Sequence, residues 1–147
     1  THQLLGTSSE AAQQKVAAAL QRLGTTRSYV VHALDGQDEI SLDGITAVIE
    51  VAGNQVTTEA WSASDFGLLP VGVEALAAED PGESAEIIKR IFAGEPGPCR
   101  DTVLAGAAAA LQLVGAVSSL REGVQVAADA IDRGAADEKL QALCGAA

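Results

Sequence analysis

Asp38 and Glu39 are the residues of this sequence best suited to chemistry. They sit side by side, with Asp35 and Gly36 just before them and Ser41 just after. Magnesium prefers hard oxygen ligands, and proteins usually hold it with one or two carboxylates while substrate phosphates complete its shell. Two neighbouring carboxylates on a loop can turn toward one ion, and Gly36 permits the tight bend this requires. By itself the pair is a weak signal, because acidic pairs are common in solvated turns. No residue has the setting of a nucleophile. His32 ends an apolar run and reads as a hydrogen-bonded core histidine, while His2 reads as exposed. Ser41 can donate to a carboxylate or simply cap the loop. Arg100 can approach a phosphate, but pairing with Asp101 or capping a neighbouring helix is the plainer reading. The glycines at 94 and 97 alternate with Pro96 and Pro98, which makes that segment too rigid for a flexible phosphate cradle.

The local pattern around the acidic pair predicts the helices and strands that hold it. Thr7-Ser8-Ser9-Glu10 has the form of a capping box, with the Thr7 hydroxyl as cap. Val16, Ala19, Leu20 and Leu23 follow at helical spacing, and Gly24 supplies the stop. Residues 28–33 form a short apolar run suited to a buried strand, ending in the polar stretch 35–39. The order helix, turn, buried strand, polar loop predicts an α/β arrangement with the acidic pair at a strand's C-terminal end, where ligands bind in open α/β sheets. Residues 45–51 and 55–61 read as two strands joined by a tight turn at Gly53-Asn54. The stretch 62–79 reads as a long connection with room for one short strand. Asp80, Pro81 and Glu83 open a helix that Gly94 closes. Further helices are predicted over about 100–115, from Ser119 to near Gly134, and around Leu140 and Leu143.

Composition narrows the function classes. The chain has 147 residues, 48% of them hydrophobic and only 3% aromatic, so small aliphatic side chains must build one closely packed domain. Nine Lys and Arg face twenty Asp and Glu, a formal net charge of −11. That surface repels polyanions, so no nucleic-acid partner is expected, and a phosphorylated ligand needs a bridging cation. Cys99 and Cys144 lack metal-site spacing and read as reduced thiols. The longest apolar run, 103–117, contains Gln112 and falls short of the roughly 20 residues that span a bilayer. No signal-like pattern opens the sequence. No membrane partner and a cytoplasmic location are the expectations.

The acidic stretch also carries a resemblance. Residues 30–41, reading V-V-H-A-L-D-G-Q-D-E-I-S, resemble the V-V-H-G-x-D-G-L-D-E-I-S strand and loop of the anthranilate phosphoribosyltransferase family. His2-Gln3-Leu4-Leu5-Gly6 is similar to the family's Q-L-L-G-V segment, and Ser64-Asp65-Phe66-Gly67-Leu68 to its E-D-F-G-L turn. Arg100-Asp101-Thr102-Val103-Leu104 and the Ala-rich run behind it resemble R-D-x-V-L-L-N-A-A-x-A-L. Ser119-Leu120-Arg121-Glu122-Gly123-Val124 and Ala130-Ile131-Asp132-Arg133-Gly134-Ala135 resemble the closing S-L-x-E-G-V and A-I-D-S-G-A patterns. The blocks occur in order and cover essentially the whole chain. Ala33 stands where the family has Gly, Gln37 where it has Leu, and Ser84 and Gly106 where it has Asn.

The resemblance implies a fold and a chemistry. Residues 1–147 would be the C-terminal part of the α/β catalytic domain of the nucleoside phosphorylase/phosphoribosyltransferase group (glycosyltransferase family 3), a mixed sheet flanked by helices. The family's Gly-rich phosphate loop, its K-H-G-N-R segment, its anthranilate-binding arginine and its small helical N-terminal domain with the dimer interface all belong upstream of the Q-L-L-G block. The implied reaction moves a phosphoribosyl group from phosphoribosyl pyrophosphate to anthranilate, in tryptophan biosynthesis and by a homodimeric enzyme. Asp38 and Glu39 would hold Mg2+ against the pyrophosphate, and the chain alone would be inactive. Two alternatives stay open: a non-catalytic binding or assembly module with the same fold, and a relative of pyrimidine-nucleoside phosphorylases. With flanking strands assigned upstream, the strand over 28–33 is expected to present an unpaired apolar edge, and the Ala-rich helix to expose apolar surface.

Overall fold

The computed structural model describes residues 1–145. Four strands form one sheet in the order β1 (His2–Gly6), β2 (Arg27–Ala33), β3 (Thr46–Ala52), β4 (Gln55–Trp61). β1 runs parallel to β2, and the two remaining pairs are antiparallel, so the sheet is mixed as expected. Helix α1 (Glu10–Leu23) makes the crossover between β1 and β2. After the sheet come the single turn α2 (Ala63–Phe66), a 3-10 turn at Val73–Leu76, and the helices α3 (Pro81–Phe92), α4 (Pro98–Leu113), α5 (Leu120–Asp132) and α6 (Ala135–Cys144).

β2 is buried on both faces, which is why its sequence is a continuous apolar run. Tyr29 and Val31 face the larger core, with Val48, Trp61, Phe66 and the small residues Ala105, Ala108 and Ala109 of α4. Val30 faces the opposite way, with Ile49, Val51 and the α1 residues Ala17 and Leu20. Three of the four aromatics are clustered: Trp61 meets Tyr29 and Phe66 edge to face, at centroid distances of 5.2 and 6.0 Å. Alanines on α4 let the helix lie close to the sheet, and Gly123 lets α5 lie close to α4. A Cβ at Gly123 would stand 2.8 Å from the Ala108 Cα.

Two polar side chains fasten helices to the sheet. Gln13 of α1 is buried, and its amide donates to the carbonyls of Val30 and Ala47, each at 2.8 Å. Arg27 donates to Glu50 at 2.6 Å, to the Tyr29 hydroxyl at 2.7 Å, and to the Gln112 carbonyl at the end of α4 at 2.9 Å. A guanidinium suits that position, because the last carbonyls of a helix lack partners and carry partial negative charge.

Four expectations need correction. Residues 28–33 do not form an open edge. β3 pairs with Ser28–Ala33 on one side, and β1 pairs with Arg27–Val31 on the other. The sheet edge on that side is β1, whose five residues are too few to announce a strand by their pattern, and β4 forms the other edge. The cap of α1 is Ser9, whose hydroxyl accepts from the Ala12 N–H; the Thr7 hydroxyl instead donates to the Val31 carbonyl. The 62–79 connection holds α2 and the 3-10 turn rather than a strand. The Ala-rich helix begins at Pro98, with proline at its first position. The expected apolar exposure on that helix is present, with Val103 at 41% and, just past its end, Val114 at 54%.

Candidate metal site

The loop between β2 and β3 is held in shape by its own hydrogen bonds. The Ala33 N–H donates to the Gln37 carbonyl at 3.1 Å, and the Leu34 N–H to the Ile45 carbonyl at 2.9 Å. Ile40 and Leu42 are buried in the main core and anchor the loop's second half. Between these fixed points Asp38 and Glu39 are both exposed, adjacent to each other just beyond the C-terminal end of β2.

Asp35 organises the first half of the loop. Its carboxylate accepts from the Ser41 hydroxyl, and from the Gln37 N–H and side-chain amide, each of the latter at 3.1 Å. Partial burial pushes the Asp35 carboxyl up, but these hydrogen bonds to the charged form outweigh it and hold the group below the usual range. The Ser41 hydroxyl in turn accepts from the Asp43 N–H at 3.0 Å, and the Ser41 N–H donates to the buried Thr46 hydroxyl at 2.9 Å. Ser41 thus both donates to a carboxylate and caps the loop. The Gln37 and Thr46 contributions were missed in the sequence. Gln37 reads as a departure from the family's Leu, yet here its amide joins the clasp.

The donor set suits magnesium. Asp38 and Glu39 offer only carboxylate oxygens, and among the described residues no group of three or more His, Cys, Asp or Glu comes together as a ready-made cage. A near-octahedral ion held by two carboxylates keeps most of its positions for water and phosphate oxygens. Asp35 is taken up by the clasp. His32 is half-buried, with its Nδ1 2.9 Å from the Thr7 carbonyl, in keeping with a structural role. Arg100 pairs with Asp132 of α5 at 2.7 Å rather than with Asp101.

A mixed α/β domain with an exposed acidic loop at the end of a buried strand defines the class. The chain belongs to the glycosyl transferase family, a/b domain, whose sequence profile matches residues 1–137. It is 63% identical over 143 residues to the anthranilate phosphoribosyltransferase of Rhodopirellula baltica, covering 97% of this chain and 42% of that one. The solved anthranilate phosphoribosyltransferase of Thermus thermophilus superposes with a TM-score of 0.82 at 34% identity, over 92% of this chain and 40% of the other. A variant of the Saccharomyces cerevisiae enzyme with Mg bound gives 0.88 at 25% identity, over 96% and 41%. The fold is therefore that of the anthranilate phosphoribosyltransferases, and the chain spans about 42% of the length of the curated relatives it matches. Among the described residues no helix is long and apolar enough to cross a membrane.

Proposed function

We propose that this chain supplies the magnesium-binding loop of an anthranilate phosphoribosyltransferase acting in tryptophan biosynthesis, with Asp38 and Glu39 as the metal ligands. The carrying observation is the pair itself: two adjacent, exposed carboxylates on a loop whose shape is held by Asp35, Gln37 and Ser41 instead. The names of the relatives and the Mg-bound neighbour support the reading. An ion held there would neutralise charge developing on the departing pyrophosphate. The part of this chain is to orient that ion, because none of its residues is set up as a nucleophile; the amine of anthranilate attacks. With so acidic a chain, a cation held by Asp38 and Glu39 would offset the repulsion between the protein and a phosphorylated ligand. Phosphoribosyl pyrophosphate and anthranilate are the substrates of the whole enzyme, which we place in the cytoplasm as a homodimer. Positioning of both substrates carries much of the rate in such a transfer, so these residues alone are expected to show no useful turnover in an anthranilate fluorescence assay.

Isothermal titration calorimetry tests the site. Adjacent carboxylates repel, so magnesium alone should bind weakly, and added pyrophosphate should tighten binding by supplying further oxygens. The double variant Asp38→Ala, Glu39→Ala should lose the pyrophosphate-dependent binding while keeping its circular dichroism spectrum. Binding by the double variant equal to that of the parent would overturn the assignment.

A further inference from the structure

We infer that Gly6, the last residue of β1, is a positioning residue for the acidic loop, because the Asp38 peptide lies in the space that any side chain at position 6 would occupy. This rests on the reading of Asp38 and Glu39 as metal ligands. A Cβ on Gly6 would stand 1.5 Å from the Asp38 carbonyl oxygen and 2.6 Å from its carbonyl carbon. Both atoms belong to the backbone, so no rotamer change relieves the collision. Gly6 is not among the glycines with positive φ, so its backbone conformation is open to other residues. Glycine is required here for close approach rather than for an unusual turn.

Neither partner can simply retreat. Just beyond Gly6, Thr7 donates to the Val31 carbonyl through its N–H at 2.9 Å and through its hydroxyl at 3.1 Å. The Thr7 carbonyl lies 2.9 Å from His32 Nδ1, so several hydrogen bonds tie the end of β1 to the end of β2. Across the contact, the loop is fixed before Asp38 by the Ala33–Gln37 hydrogen bond and after Glu39 by the burial of Ile40 and Leu42. A side chain at position 6 therefore displaces the segment between those anchors, which contains the two carboxylates. β1 thereby sets where the two carboxylates stand through a backbone contact.

The test uses the 147-residue chain, Mg2+ and inorganic pyrophosphate. Gly6→Ala is expected to weaken pyrophosphate-dependent Mg2+ binding by about tenfold or more, the range seen when groups that orient metal ligands are altered, measured well below the variant's melting temperature. A purely structural role for Gly6 would lower the melting temperature and leave the affinity of the folded protein unchanged, which overturns the inference. If Gly6→Ala does not fold, the unaltered chain labelled at glycine gives a second reading by NMR. The Gly6 Cα–H signals should shift when Mg2+ and pyrophosphate bind, while those of Gly53 in the β3–β4 turn stay fixed. A silent Gly6 in a chain that binds the ligands overturns the positioning role alone. Absence of any binding by the unaltered chain overturns the metal reading, and the positioning role falls with it.

Discussion

Asp35 shows how a carboxylate beside a proposed metal site can serve structure instead of ligation. The Ser41 hydroxyl and two Gln37 donors hold its carboxyl below the ordinary value, against the opposing effect of burial. The unfolded carboxyl, near about 3.9, therefore takes up its proton first as pH falls. The clasp contributes fully above that value and is lost as pH drops through the folded one. Asp35→Asn is expected to melt a few degrees lower at pH 7, and to show a shallower decline in melting temperature between about pH 5 and pH 2. A decline parallel to the parent's would show that Asp35 does not stabilise the fold. Ser41→Ala should cost about 1 kcal/mol in urea unfolding, because the Asp43 N–H loses its acceptor, and should return the Asp35 carboxyl toward its ordinary range in an NMR titration.

Helix packing turns two glycines in helix interiors into opposite cases. Gly106 of α4 faces open space, and a Cβ there would meet no heavy atom within 4 Å beyond the helix's own neighbouring backbone. Gly106→Ala should therefore stabilise the chain by roughly 0.5–1 kcal/mol, the conformational penalty that glycine brings to a helix. At Gly123 of α5 the same change would press a methyl within 2.9 Å of the Ala108 Cβ and 2.8 Å of its Cα. Overpacking of this kind costs about 1–3 kcal/mol, which exceeds the propensity gain of about 1 kcal/mol. Gly123→Ala should therefore destabilise. Chemical denaturation of both variants checks the pair, and a shift of the same sign in the two would contradict the crossing geometry of α4 and α5.

For the whole molecule, the net charge of −11 and the exposed apolar surface act in opposite directions on self-association. β1 is an open sheet edge, a template for pairing with another chain. A groove of about 540 Å³, lined by residues including Val103, Leu111, Val114, Val126 and Ala130, runs along α4 and α5. Charge repulsion is screened over about 8–10 Å at moderate ionic strength, whereas burial of apolar surface is not. The weight-average mass in sedimentation is thus expected to rise with protein concentration and to rise further with salt. Val114→Asp, which places a charge in the groove, should reduce it. A mass that stays monomeric across concentration and salt would overturn this expectation.

Local pattern was enough for the α/β class, the helix starts marked by Asp80, Pro81 and Ser119, the β3–β4 hairpin and the place of Asp38 and Glu39 after a buried strand. Those features rest on periodicity, capping and turn chemistry, which act over a few residues. Ordered motif blocks carried the family resemblance for the same reason, since each block is local. The remaining features depend on long-range packing. Residues 2–6 became a strand only because β2 offers a parallel partner 25 residues later, and that pairing moved the sheet's edge from β2 to β1. Arg27 gained its role only when the end of α4 arrived beside it, 85 residues on. Gly6 and Asp38 came into contact across α1 and β2, so the space that demands glycine is invisible to any local pattern. Contacts between residues far apart in the chain depend on how the layers pack, and packing is a property of the whole fold.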